Sequence, residues 1–259
     1  MHLTTRAIVL AQTEYGSQDK MLTLLTSDRG QLQAIVKNPR RKNARSAAAL
    51  EVLAYSEFVL YQGRTQYMID SAELIENFYS IREDLTKISL AAYLSELTRY
   101  ILPQADISGE VLSLLLNTLY LLQHGKRSPA LLKGIYELRL MCLAGFMPDT
   151  ECCHGCGKET GDFTLLPYSG VIFCPDCLRR IEPGMELDDN PADTIRVFFP
   201  YSTYLAFRHI VEAADNKELF SFRLSPDTEK AFSAAAEAFT LAQTAPSFGS
   251  LDFYRTVAE

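Results

Sequence analysis

No stretch of this sequence approaches the roughly 18 uninterrupted apolar residues that a membrane-spanning helix needs; the longest candidate, Val111 to Leu122, is broken by Asn117. No transmembrane segment is expected. An apolar leader is also missing, since Arg6 and the polar run from Gln12 to Lys20 interrupt the start of the chain. That points to a reducing cytoplasm, where disulfides are disfavoured. There is no G-x-x-x-x-G-K-[ST] phosphate cradle: Gly157-Lys158 is followed by Glu159, which argues against nucleotide hydrolysis. Histidine is scarce, and His2, His124, His154 and His209 lie in no H-E-x-x-H. No G-x-S-x-G nucleophile turn occurs either, and the neighbours of Asp188-Asp189 read as a turn rather than a pocket. The expectation is a protein that is not an enzyme.

What is present begins with enough apolar residues for a core. At 259 residues and 47% hydrophobic, the chain can hold one to two domains and a small metal module. The net charge of -7 and pI of about 5.2 argue against coating nucleic acid with the whole surface. One segment departs from that balance. From Gln31 to Leu50 there is no Asp or Glu, while Lys37, Arg40, Arg41, Lys42 and Arg45 supply five positive charges and leave about -12 on the rest. Charge gathered in this way suggests a local polyanion site.

Cysteine is used in a pattern. Cys153-His-Gly-Cys156 and Cys174-Pro-Asp-Cys177 are two C-x-x-C pairs separated by 17 residues, within the spacing of a zinc site. Two residues between ligands let one tight turn aim both sulfurs at one point, and the second pair completes a tetrahedron. Four protein ligands leave no position for water or substrate, so one structural zinc ion is expected. Gly155, Gly157 and Pro175 suit the turns. The competing readings are a disulfide pair and four unrelated thiols. Cys152 abuts Cys153 and offers a looser C-x3-C alternative, and Cys142, in an apolar helical run, reads as a small core residue.

The patterning divides the chain into an α+β architecture. Leu3 to Leu10, Met21 to Thr26, Leu32 to Lys37, Val52 to Tyr61 and Tyr67 to Ala72 read as strands separated by turn residues. Five strands in so short a span suit a closed barrel of OB type over residues 1–80, with the long basic connection as its grip on oligonucleotides. Beyond Phe78, helical spacing takes over. Leu90, Leu94, Leu97 and Ile101 mark one helix, Val111 to Gln123 a second, and Ser128-Pro129 opens a third that runs to Leu143. Pro191 to Ala214 and Pro226 to Gln243 read as two more, and Glu182 to Asp193 as a solvated linker. The expected division is a helical domain over 81–150 and 183–259, interrupted by a zinc module over 151–182. Phe198, Phe199, Tyr201, Tyr204 and Phe207 are weighed as a base-stacking platform or peptide groove against helix core, and core is favoured.

Several segments resemble the RecO family of bacterial DNA repair proteins: Gly16-Ser-Gln-Asp-Lys20, Thr23-Leu-Leu-Thr-Ser-Asp-Arg-Gly30, Lys37-Asn-Pro-Arg-Arg41 and Leu60-Tyr-Gln-Gly-Arg64. The resemblance continues through Ile81-Arg-Glu-Asp-Leu85, the two cysteine pairs and Ser250-Leu-Asp-Phe253. It implies a recombination mediator with an OB-fold, a helical domain and a zinc module. Such a protein binds single- and double-stranded DNA, anneals complementary strands and, with RecR, helps load RecA onto strands coated with single-strand-binding protein. It is cytoplasmic, associated with the nucleoid, and has no membrane partner. The resemblance places the basic barrel surface at Lys37, Arg40, Arg41, Lys42 and Arg45, with Arg64 a weaker candidate. These would grip phosphates rather than read bases. A reading from another class is an interaction adaptor, whose zinc and helices present a protein-binding surface while the basic loop only aids solubility.

Overall fold

The computed structural model describes residues 2–39, 44–63, 66–102, 108–180, 195–216, 218–244 and 247–258. Packing gathers the chain into two compact units, one of residues 1–125 with 248–259 and one of residues 126–247. This grouping follows contacts rather than composition, and among the described residues it places four α-helices with the barrel.

In the first unit, β1 (His2–Tyr15), β2 (Asp19–Thr26), β3 (Gln31–Val36), β4 (Tyr55–Gln62) and β5 (Tyr67–Glu76) form a closed barrel in the order β1-β2-β3-β5-β4. All pairings are antiparallel except β3 with β5, the strand order of an OB-fold. β1 serves two neighbours. Its first half pairs with β4 and its second half with β2, and the register slips between Val9 and Ala11 where the strand turns from one to the other. Alternation sends Ala7, Val9, Leu22, Leu24, Ala34, Val36, Phe58 and Leu60 into the barrel, where each is fully buried. Each larger apolar side chain removed from water contributes about 1.5–3 kcal/mol, so this interior holds the barrel shut.

A short helix, α1 (Ala44–Ala48), lies between β3 and β4. After β5, α2 (Leu85–Ile101) begins at Asp84, whose side chain accepts from the Lys87 N–H at 3.1 Å, and buries Leu90, Leu94 and Leu97 completely. α3 (Ser108–Gln123) packs against β2. The last helix, α8 (Gly249–Ala258), returns to α2: the Ser250 N–H donates to Glu96 at 3.2 Å and Thr86 donates to the Val257 carbonyl at 3.3 Å.

In the second unit, α4 (Pro129–Leu143) starts as the Ser128-Pro129 pair requires, with Ser128 accepting from the Leu131 N–H. Every residue from Leu131 to Cys142 is buried, because α6 (Tyr201–Glu212) and α7 (Pro226–Thr244) cover it. A three-stranded sheet stands beside these helices, with β6 (Phe163–Leu166) between β7 (Val171–Phe173) and β8 (Val197–Phe199), and α5 (Pro175–Leu178) follows β7.

The helix expected over 191–214 is shorter. Residues 191–194 lie outside the described ones, as does the whole of the expected linker over 182–193, while Val197–Phe199 pairs as β8 with β6. Pro200 separates strand from helix: it has no N–H to give to a preceding turn, so the helix starts after it. Of the five aromatic residues there, Phe199, Tyr204 and Phe207 are core, whereas Phe198 is 64% exposed and Tyr201 36%.

Candidate metal centre and nucleic-acid interface

The first cysteine pair sits on a tight turn fastened at both ends. The Cys153 carbonyl accepts from the Cys156 N–H at 3.3 Å and the Gly157 N–H at 2.8 Å, and the Cys153 N–H donates to the Lys158 carbonyl at 2.8 Å. Gly157 has φ +72°, a left-handed conformation that lets the chain turn back after the second thiol. The His154 N–H donates to Ile172 at 2.9 Å and so ties this turn to β7. β7 leads directly into the second pair: Cys174 caps α5 and Cys177 lies in its single turn.

These elements bring the four sulfurs within 4.8 Å of one another, with Cys153, Cys174 and Cys177 buried and Cys156 exposed. Cys156 and Cys174 Sγ are 3.8 Å apart, which matches the edge of about 3.8 Å in a tetrathiolate with metal–sulfur bonds of about 2.3 Å. The Cys174 N–H donates to Cys153 Sγ at 3.2 Å, the kind of bond that favours a thiolate. Burial raises the Cys153 thiol, but N–H donors from Cys174, Gly155 and Cys156 outweigh it and hold the group down to about 7. Cys177 is pushed up to about 12 by its hydrogen bond with Cys156 and by burial. A cation at the centre would remove this competition between close thiols, and the donor set fits a metal ion. Cys152 is not among the four. Cys142 is a core residue whose thiol burial pushes up to about 11.

On the barrel, the basic connection is held where it leaves and where it returns. Lys37 is exposed just beyond β3, and the next N–H, of Asn38, donates to the Asp19 carboxylate at 3.1 Å. Arg45 belongs to α1. The chain is then bound back by Leu53 N–H to Val9 carbonyl at 2.8 Å and Val9 N–H to Ala54 carbonyl at 3.0 Å. Arg40, Arg41 and Lys42, as well as Arg64, lie outside the described residues. Two further cations stand near this connection, Lys20 on β2 and Arg82, whose guanidinium donates to the Val52 carbonyl at 2.5 Å and pairs with Glu51 at 3.5 Å. Spacing alone did not single them out, because thirty residues separate Arg82 from Val52.

Residues 1–78 match the family model for the Recombination protein O N terminal, and residues 82–200 match that for the Recombination protein O C terminal. A Dehalococcoides mccartyi protein named DNA repair protein RecO is 31% identical over 220 residues, covering 84% of both chains. The chain belongs to the RecO family. Similar proteins of the same name occur in Acetivibrio thermocellus, 27% identical over 257 residues covering 99% of this chain and 97% of that one, and in Thermoanaerobacter, 31% identical over 196 residues covering 76% and 79%. The resemblance read from the barrel turns and the cysteine pairs is thereby borne out over nearly the whole length. Among the described residues of this RecO-family chain, no helix is long and apolar enough to cross a membrane.

Proposed function

We propose that the chain is a recombination mediator rather than an enzyme. In this reading it binds single- and double-stranded DNA on the barrel and anneals complementary strands. With RecR, it assists RecA loading onto strands coated with single-strand-binding protein. It works in the cytoplasm at the nucleoid. The supporting observation is the joining of a closed OB-type barrel to an acid-free connection with five cations, fastened at both ends to strands of that barrel.

The residues assigned to DNA are Lys37, Arg40, Arg41, Lys42, Arg45 and, more weakly, Arg64. Cations alone neutralise phosphates without distinguishing bases. Two strands held in this way lose much of their mutual repulsion, which is the main obstacle to their meeting, and no ATP or divalent metal is needed. Cys153, Cys156, Cys174 and Cys177 are assigned to one zinc ion. Bound there, zinc would cross-link the turn before β6 to the helix after β7, a structural role, since four thiolates leave no open coordination position.

The test is fluorescence-quenched pairing of complementary oligonucleotides. Annealing at low salt without ATP, suppressed as salt rises, is the expected result. Lack of annealing on naked strands at low salt would overturn the mediator reading in favour of an adaptor without intrinsic DNA binding.

A further inference from the structure

The barrel is not apolar to its end. Gln12 pairs with Leu22 across β1 and β2, and Lys20 pairs with Val36 across β2 and β3. Leu22 and Val36 are fully buried core residues, so Gln12 and Lys20 continue the inward-facing rows into the mouth of the barrel. Both line a cavity of about 510 Å³, within the roughly 300–1,000 Å³ typical of small-molecule pockets, which recur in barrel mouths.

The cavity walls have a particular chemistry. Pro39, Leu50 and Val52 supply apolar faces, and Glu51 and Gln12 supply a carboxylate and an amide. Lys20 and Arg82 are the cations among its described lining residues. The Lys20 side chain is only 24% exposed, and its carboxylate neighbour Glu14 stands 4.0 Å away, beyond hydrogen-bond distance. A cation withdrawn from water with so distant a partner is poised for an anion. Arg82 is already fixed in place by Val52 and Glu51. Pro39 and Ala47, which flank Arg40, Arg41, Lys42 and Arg45 in the sequence, both belong to the cavity wall.

We propose that the barrel mouth takes one unpaired nucleotide of a single DNA strand, with Lys20 and Arg82 on its phosphate and Gln12 and Glu51 at the edge of its base. The inference rests on the DNA-binding reading above and adds a discrimination that phosphate contacts lack. A base stacked inside a duplex cannot enter a side pocket without being extruded, and extrusion is least costly from a strand already single. The mouth therefore favours single strands over duplex.

The experiment uses the full-length protein, with oligonucleotides carrying one 2-aminopurine, which brightens when unstacked, and a blunt duplex of the same sequence. Ala47→Phe fills the cavity from its wall, and Lys20→Gln removes its freer cation without changing bulk greatly. The parent protein should brighten the probe and prefer the single strand. Each variant should lose the brightening and about tenfold in single-strand affinity, the scale of one lost base contact, while duplex affinity stays within about twofold of the parent. Unchanged single-strand affinity and fluorescence in both variants would overturn this inference alone, because duplex binding reports the DNA reading separately. Failure of the parent to bind either form would overturn both.

Discussion

A Cβ placed on Gly155 would stand 2.9 Å from the Sγ of Cys177. The backbone between the first two thiols thus lies directly against the fourth, and the cluster leaves no room for even a methyl group there. Gly155→Ala should lower metal content below one ion per chain and reduce the melting temperature. Cys156→Ser and Cys174→Ser should do so more strongly, while Cys152→Ser should change little. Full zinc retained by both ligand variants in metal analysis would refute the tetrathiolate assignment.

Neutralising Arg40 and Arg41 together should weaken binding to all DNA sequences alike. Each phosphate contact contributes about 0.7 to 0.9 to the slope of log affinity against log salt, so the pair should remove roughly 1.4 to 1.8 units. Titration of single-strand binding between low and moderate salt measures this directly. An unchanged slope in a folded variant would place the DNA surface elsewhere.

Gly134 on α4 faces the ring of Phe232 on α7, and an added Cβ would come within 2.6 Å of it. Two effects oppose each other in Gly134→Ala. The higher helix propensity of alanine is worth up to about 1 kcal/mol, whereas overpacking a tight core costs about 1–3 kcal/mol. Phe232 is fully buried and has no open side to move toward, so destabilisation should win. Thermal melting of Gly134→Ala is expected at a lower temperature than the parent, with partial recovery on adding Phe232→Leu; a higher melting temperature for the single variant would contradict the packing.

Lys133, also on α4, is 3% exposed in its side chain and contacts Glu137 at 3.0 Å and Glu237 at 2.7 Å. Its replacement by Met leaves the carboxylate of Glu137, itself 0% exposed, without this cation. Breaking a buried pair in this way costs about 3–5 kcal/mol, while removing both charges with apolar residues is far less harmful. Denaturant unfolding should therefore show a large loss for Lys133→Met and substantial recovery for Lys133→Met with Glu137→Leu. Equal losses in the single and double variants would argue against a charge-pair origin.

The features most legible in the sequence were those carried by local residue types and spacing. Runs rich in Val, Ile, Leu, Thr and Tyr between turn residues marked all five barrel strands, and the spacing of the two cysteine pairs selected the same four thiols that the fold brings together. Even the choice of Cys153 over Cys152 agrees with the cluster geometry. β8 was not legible, because Val197–Phe199 is only three residues long and its aromatic character continues into α6. β6 and β7 are similarly short, and they are strands because they pair with each other rather than because of intrinsic pattern. The cavity at the barrel mouth joins Gln12, Lys20, Glu51 and Arg82, positions that no linear motif links; their common ground is set by barrel closure. The cation-rich connection was visible from charge alone, whereas its fastening through Asp19 and Val9 depends on backbone register.

The return of α8 to α2 orders the birth of the molecule. Glu96 and Thr86 wait for Ser250 and Val257, and the whole of the second unit is synthesised between these partners. The barrel can close as soon as β5 has emerged from the ribosome, since its strands are all early in the chain. The apolar side of α2 that α8 will cover must meanwhile stay in water or find a temporary neighbour. On the nascent chain the first unit is thus begun before the second and completed after it, and during that interval the uncovered apolar face of α2 is open to misassociation.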